Sequence, residues 1–146
     1  MTSKRLKRIL RVRKLIETTR AADLAQSRSD LDAARRELDD AGKRLDAHDE
    51  AVGKMNLDPA LEDSATLYRK RLAEGRRESA TEVEQQVDLV EEHRAEVESA
   101  YRGRRLMENL HDRVRARELQ SEAGAEAKSQ DALAIAAYSR KGNSGR

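Results

Sequence analysis

The sequence contains no cysteine, no phenylalanine and no tryptophan, and it has a single proline among 146 residues. Without cysteine the chain can form no disulfide and has no thiolate nucleophile, which is typical of proteins in reducing compartments. Aromatic residues make up 2% and charged residues 40%, too few and too many for an ordinary globular core. Lys+Arg (30) and Asp+Glu (28) nearly cancel, so the net charge that keeps many chains disordered is absent. The composition therefore predicts an elongated helical protein.

The sequence also has no apolar run close to the roughly 20 residues that a membrane-spanning helix needs. Arg11 and Arg13 interrupt the apolar residues near the N-terminus, which excludes the core of a signal peptide. The basic first segment could pass for a mitochondrial transit peptide. However, its amphipathic pattern continues without a cleavage-like break, and this favours the first turns of a helix.

A seven-residue repeat organises the first third of the chain. Five apolar residues recur at this spacing: Leu24, Leu31, Leu38, Leu45 and Val52. Small residues three positions away complete the seam: Ala21, Ser27, Ala34 and Ala41. Such a seam predicts one helix over about residues 4–55 that needs a helical partner. Upstream, Ile9, Val12 and Ile16 form an apolar edge. The two steps of four residues from Ile16 to Leu24 predict a stutter in the repeat.

The one firm break in the helical pattern lies at about residues 53–58. Gly53 suits the left-handed position after a helix end, Asp58 suits an N-cap and Pro59 suits the first position of the next helix. Asp63 and Ser64 are alternative starting points. Because the connection is short, the two helices are expected to be antiparallel neighbours.

The second helix is predicted over about residues 59–138, with a frayed tail at 139–146. Its seam again has a spacing of seven: Leu72, Ser79, Gln86, His93, Ala100, Met107 and Val114. Val83, Val90 and Val97 complete the seam, and Val87, Tyr101 and Leu110 widen it. One pairing places residues opposite each other when their numbers sum to about 117, and a register shifted by one layer is also compatible with the sequence. The predicted fold is all-α, a single domain in which a long two-helix antiparallel coiled-coil hairpin ends in a C-terminal helical overhang at about 114–138.

Catalytic and cofactor-binding patterns are missing. The sequence has no glycine-rich phosphate loop and no nucleophile with a histidine and an acid at a recognisable spacing. Asp46, His48, Asp49 and Glu50 carry metal-binding atoms, but two long helices offer no closed cavity, so a structural or solvated role is favoured. Three tyrosines spread over 70 residues make no stacking platform for nucleic acid. We expect no enzyme activity, no metal and no cofactor.

Charge is distributed unevenly along the chain. Residues 4–20 carry eight Lys or Arg and one acid, residues 78–98 carry eight acids and one Arg, and residues 99–120 carry six Arg against three acids. In the predicted hairpin the two basic stretches lie side by side at the open end and repel each other. An acidic partner or a phosphate would relieve this repulsion, although a solvated charged face is an equally simple interpretation.

Three stretches of the sequence resemble the FliJ family, small coiled-coil proteins of the bacterial flagellar type III export apparatus. The first stretch is Arg5–Lys14, which continues into Ala22–Ala25 and Leu31. The second is Val97–Tyr101 followed by Arg105–Arg113, and the third is Lys128–Ala134. Ala132 departs from the glutamate that is common in the family. The resemblance covers nearly the whole chain, including the position of the hairpin.

The resemblance implies a non-enzymatic cytoplasmic protein, peripheral at the inner-membrane export apparatus and similar in shape to the stalk of the ATP synthase gamma subunit. Its implied partners are the hexameric export ATPase, the membrane protein of the export gate and export chaperones. The ATPase ring would receive the basic open end and the overhang: Arg5, Arg8, Arg11, Arg13, Lys14, Arg113, Arg117 and Leu133. The gate would contact the hairpin end: Leu45, His48, Tyr68 and Leu72.

Three other interpretations remain open at this point. The chain could be the equivalent stalk of a virulence injectisome, a generic scaffold that forms a parallel homodimeric coiled coil, or a nucleic-acid binder that uses its basic end.

Overall fold

The computed structural model describes residues 1–143 and contains two α-helices in this range. Helix α1 spans Ser3–Gly53 and helix α2 spans Pro59–Asn143. The described part of the chain contains no strand. The chain is therefore all-helical, as predicted, and its two long helices pack against each other as expected for a helical hairpin.

The chain divides into two compact units, each built from part of both helices. Unit 1 comprises Met1–Ile16 and Tyr101–Arg146, and unit 2 comprises Glu17–Ala100. Unit 1 has 17 Lys and Arg against 6 Asp and Glu, whereas unit 2 has 13 against 22. Their formal charges are therefore opposite in sign, +11 for unit 1 and −9 for unit 2. The nearly neutral total of the whole chain hides this separation.

The predicted leucine seam forms the core of unit 2. Leu24, Leu31 and Leu45 are 7–8% exposed, and the small residues Ser27 and Ala41 between them are also buried. Leu38, Ala34 and Val52 are half-buried, whereas Ala21, predicted in the seam, is exposed. Each well-buried leucine contributes about 1.5–3 kcal/mol by the apolar area it removes from water. The seven-residue repeat is therefore the main source of stability in this unit.

The seam of α2 is also where the sequence predicts it. Every residue of the predicted series from Leu72 to Val114 is buried or half-buried, and Val83, Val90 and Val97 are half-buried. The predicted widening of this face was wrong, because Val87, Tyr101 and Leu110 are 38–47% exposed. A single partner helix covers only a narrow stripe, so residues beside the seam stay in contact with water.

Contacts between the helices follow the predicted pairing. In unit 2 the guanidinium of Arg20 lies 3.0 Å from the Glu96 carboxylate, and Arg69 lies 2.8 Å from Asp49. The residue numbers of these pairs sum to 116 and 118, close to the predicted 117. In unit 1 the guanidinium of Arg13 lies beside Gly103, a pair that sums to 116.

The predicted stutter was wrong. Val12 and Ile16 are 57% and 38% exposed, whereas Leu10 and Glu17 are half-buried. Burial along α1 thus keeps a strict spacing of seven from Leu10 through Glu17 to Leu24. Val12 and Ile16 stay outside the seam because burying them would break the seven-residue spacing that pairs the helices along their length.

The start of α2 agrees with the prediction, but the end of α1 does not. Asp58 caps α2, since its Oδ1 accepts a hydrogen bond of 2.9 Å from the Leu61 N–H, and Pro59 is the first helical residue. Gly53 does not have the predicted left-handed conformation, because no described residue has a positive φ. Instead, Lys54 and Met55 donate to carbonyls three residues back, which tightens the last turn of α1.

The C-terminal part of α2 is a single exposed helix. Every residue from 119 to 143 is exposed, including Leu119, Leu133 and Tyr138. The predicted overhang therefore exists, but it begins after Glu118. Val114 is half-buried and belongs to the paired region. The helix also continues to Asn143 through most of the predicted frayed tail, whose residues 144–146 lie outside the described range.

Replacing Leu31 by alanine tests the contribution of the seam. Leu31 is 7% exposed, so the truncation leaves a gap between the helices and should lower the free energy of unfolding by about 2 kcal/mol or more. Leu67→Ala is the matched control, because Leu67 is 61% exposed, and it should change stability by less than about 0.5 kcal/mol. Urea unfolding followed by circular dichroism measures both, and equal losses would argue against the seam as the core.

Candidate functional site

The strongest functional signal is the basic surface of unit 1. The first 16 residues contain seven Lys or Arg and no acid, and within these residues only Ser3 and Leu6 are deeply buried. The seven cations are all exposed: Lys4, Arg5, Lys7, Arg8, Arg11, Arg13 and Lys14. This part of α1 therefore presents positive charge over much of the surface that α2 does not cover.

The facing part of α2 adds to this charge. Residues 101–118 contain six arginines, namely Arg102, Arg104, Arg105, Arg113, Arg115 and Arg117, and three acids. The paired region of unit 1 thus holds 13 Lys and Arg against three acids. Such an excess produces a positive potential that attracts anionic partners and accelerates their association.

Local contacts occupy two of these three acids within α2. Glu108 accepts hydrogen bonds from Arg104 at 2.6 Å and from Arg105 at 3.4 Å. The bond to Arg104 is the main cause that lowers the pKa of Glu108. Asp112 lies 3.2 Å from Nδ1 of its neighbour His111. Glu108 therefore pairs with two arginines of its own helix, and the remaining arginines of this stretch outnumber the other two acids.

The third acid, Glu118, caps the N-terminus of α1 from the other helix. Its Oε1 accepts a hydrogen bond of 2.9 Å from the backbone N–H of Ser3. Helix α1 has no acid in its own first turn, so Glu118 supplies the negative charge that a helix N-terminus favours. Hydrogen bonds from the side chain and backbone of Ser3 are the leading causes that lower the pKa of Glu118.

One groove in unit 1 brings several cationic residues together. Ser3, Lys4 and Lys7 of α1 and His111 and Arg115 of α2 line it, with a volume of about 340 Å³. The His111 side chain is only 18% exposed. Lys4, Lys7 and Arg115 therefore concentrate positive charge near the N-terminus of α1, whose Ser3 N–H is already bonded to the Glu118 carboxylate.

The residues that the resemblance assigns to ring contact lie in unit 1. Arg5, Arg8, Arg11, Arg13, Lys14, Arg113 and Arg117 are exposed, and Leu133 is 69% exposed on the single helix. Arg13 combines this exposure with a packing role. Its Nη1 lies 3.4 Å from where a Cβ on Gly103 would be, so the arginine side chain packs against this glycine.

The residues assigned to the gate contact lie in unit 2, but they are not equally accessible. Leu45 is 7% exposed and Leu72 is half-buried, so both contribute to helix packing. His48 donates from Nε2 to the Ala65 carbonyl at 3.2 Å, and its ring meets that of Tyr68 edge-on at 5.1 Å. Tyr68 is 54% exposed. Of the four residues, Tyr68 offers most of its surface to a partner.

Three exposed apolar residues near the turn were not predicted. Met55, Leu61 and Leu67 are 54–61% exposed in the same unit as Tyr68. They lie outside the seven-residue seam. Apolar residues outside the seam are expected to be exposed, and this could have identified them from the sequence. Together with Tyr68 they give the turn region more exposed apolar surface than the seam residues alone.

The described residues contain no group of three or more His, Cys, Asp or Glu arranged to hold a metal ion. No helix in the described range combines the length and the apolar character needed to cross a membrane. Comparisons with protein-family models, curated proteins and solved structures gave no match.

The Glu118 cap makes a prediction about pH. Because its folded pKa is below the usual value of 4.5, Glu118 stabilises the fold fully above that pH. The stabilisation is lost as the pH falls through the lower folded pKa. We expect Glu118→Gln to lower the melting temperature at pH 7, and the difference from the wild type to vanish in acid, where both side chains are uncharged.

Glu126→Gln on the exposed single helix is the control for this experiment. Glu126 has no hydrogen bond or ion pair with the described residues, so its neutralisation should leave the melting temperature unchanged at both pH values. Thermal unfolding followed by circular dichroism makes the comparison. A difference for Glu118→Gln that persists in acid would contradict the charged cap.

Proposed function

We propose that this chain is a non-enzymatic stalk and coupling factor of the bacterial flagellar type III export apparatus, folded as an antiparallel coiled coil. In this proposal it is cytoplasmic and peripheral at the inner membrane. It binds the hexameric export ATPase and the membrane protein of the export gate, and it assists the delivery of chaperones and substrates. The proposal rests on the resemblance of three sequence stretches to the FliJ family and on the properties of the two units.

The observation that carries the proposal is the basic surface of unit 1 next to an exposed helix. The paired region contains thirteen Lys and Arg but only three acids. Helix α2 then continues through 25 exposed residues, from 119 to 143. A single helix with exposed Leu133 and Ile135 requires another surface to cover it. A ring with acidic loops around an apolar centre would provide both the charge and the cover.

The mechanism that this arrangement supports is electrostatic and mechanical. Positive charge steers the basic surface toward an acidic ring and sets its orientation, while apolar side chains of the single helix provide lasting contact. The proposal requires the seam between α1 and α2 to transmit a displacement along the helix pair. No bond is made or broken by this chain.

The gate contact of the proposal belongs to unit 2. Tyr68, with His48 against its ring, is the accessible member of the group that the resemblance assigns to the gate. Aromatic residues with one exposed face are frequent anchors at protein interfaces. Leu45 and Leu72 support this surface through packing, since they are buried or half-buried between the helices.

Charge reversal at Arg11 and Lys14 tests the ring contact. Both residues are exposed in unit 1, so replacing both by glutamate should weaken binding to the hexameric ATPase by about tenfold or more, with helicity retained. Binding is measured by pull-down with the purified flagellar ATPase together with its ATP turnover, which the wild type should stimulate. An injectisome ATPase in a parallel assay distinguishes the two export machines.

The matched control reverses Arg28 and Arg35, which are exposed on the same helix but in unit 2. This variant should bind the ATPase and stimulate it like the wild type. If the two double variants bind equally well, or if the wild type neither binds nor stimulates either ATPase, the proposed function is wrong.

A further inference from the structure

The paired region of unit 1 has two flanks that differ in composition. Lys7 and Arg115 line one groove, and each directly follows a seam residue, Leu6 or Val114. Residues that directly precede a seam position project to the opposite side, because successive residues turn by about 100° around a helix. Ile9 and Leu110, which precede Leu10 and His111, lie on this second flank.

Helical spacing places further apolar residues on the second flank. Val12 is three residues after Ile9 and four before Ile16, and Leu106 is four residues before Leu110, so these residues share the flank. Leu15, three residues after Val12 and two before the seam residue Glu17, lies next to them on the face turned away from α2. Five of them are well exposed: Val12 57%, Leu15 66%, Ile16 38%, Leu106 68% and Leu110 40%. We call these five residues the apolar flank. Both helices contribute to it, and no other described helix covers it.

Arginines border the apolar flank, and acids are absent from it. Arg5 and Arg8 precede Ile9 and Val12 by four residues on α1, and Arg113 and Arg117 continue the spacing from Leu110 on α2. The first 16 residues contain no acid. Glu108 and Asp112 directly follow the seam residues Met107 and His111 and so lie on the side of the groove, and Glu118 accepts the hydrogen bond from Ser3. The flank is thus an apolar surface with charge of one sign around it.

We propose that the apolar flank of unit 1 binds the surface of an anionic lipid bilayer. An apolar centre bordered by cations matches a layer of negative headgroups above acyl chains, because the aliphatic side chains enter the boundary while arginines stay at headgroup level. Each Lys or Arg near such a surface adds attraction, and unit 1 has a formal charge of +11.

The inference goes beyond the proposed function, since it concerns lipid rather than the ATPase or the gate. It is tested with the full chain and lipid vesicles in the absence of both partners. The wild type should cosediment with phosphatidylcholine vesicles that contain phosphatidylglycerol and should not cosediment with vesicles of phosphatidylcholine alone. Failure here would leave the ATPase result unaffected, and the reverse also holds.

Two pairs of variants assign the binding to the apolar flank. Leu15→Gln with Leu106→Gln should lower the vesicle partition coefficient by about tenfold, because both leucines lose their apolar contact. The control, Leu61→Gln with Leu67→Gln, removes two leucines of similar exposure in unit 2 and should bind like the wild type.

Arg8→Glu with Arg113→Glu should reduce binding by more than about twentyfold, since each lost cation accounts for about fivefold. Arg76→Glu with Arg77→Glu in unit 2 is its control.

Circular dichroism of each variant confirms that helicity is retained, as expected for exposed positions. Loss of binding confined to the two unit 1 variants, on anionic vesicles only, supports the proposal. Three results would each overturn it: no binding of the wild type to anionic vesicles, equal binding to uncharged vesicles, or binding that the leucine variant leaves unchanged. Equal losses in the unit 2 controls would also overturn it, because the attraction would then not belong to this flank.

Discussion

The seven-residue seam on α1 is the constraint on which the rest of the structure depends. Leu24, Leu31 and Leu45 can leave water only against a second helix, and the chain supplies that helix itself after a short turn. Because one partner covers only a narrow stripe, most of the surface of both helices remains exposed. The charges of opposite sign in the two units lie on this exposed surface. Charged surface is therefore what the helix pair offers to a partner.

The sequence predicted the two helices, the break and the cap at Asp58, because each depends on local rules. The pairing also followed from the sequence, since Arg20 with Glu96 and Asp49 with Arg69 agree with the expected sum. The sequence did not predict that Glu17 would occupy a seam position while Ile16 remains exposed. At this point the seven-residue spacing favours burial of Glu17, whereas hydrophobicity favours burial of Ile16. The structure of the packed helices shows that the spacing prevails.

The candidate site was predicted unequally for a similar reason. The exposure of the basic residues of unit 1 followed from their charge, whereas their assignment to a ring contact rests on the resemblance. The Glu118 cap could not be predicted, because it joins residues 115 positions apart through one backbone N–H. Leu45 was assigned to a partner contact but has low accessibility. A seam leucine that completes the core has little surface left for a partner. Residues beside the seam, such as Tyr68 and Leu15, carry that surface instead.

The central claim is that α1 and α2 of one chain pair in opposite directions along this seam. Because the chain has no cysteine, spin labels attached to cysteines introduced at Ser29 and Asp88 report a single distance. Both residues are exposed in unit 2, and their numbers sum to 117. Electron–electron double resonance should give about 20–25 Å between the labels, unchanged when labelled protein is diluted with unlabelled protein. A distance beyond about 40 Å, or a signal that disappears on dilution, would contradict the pairing of the helices within one chain.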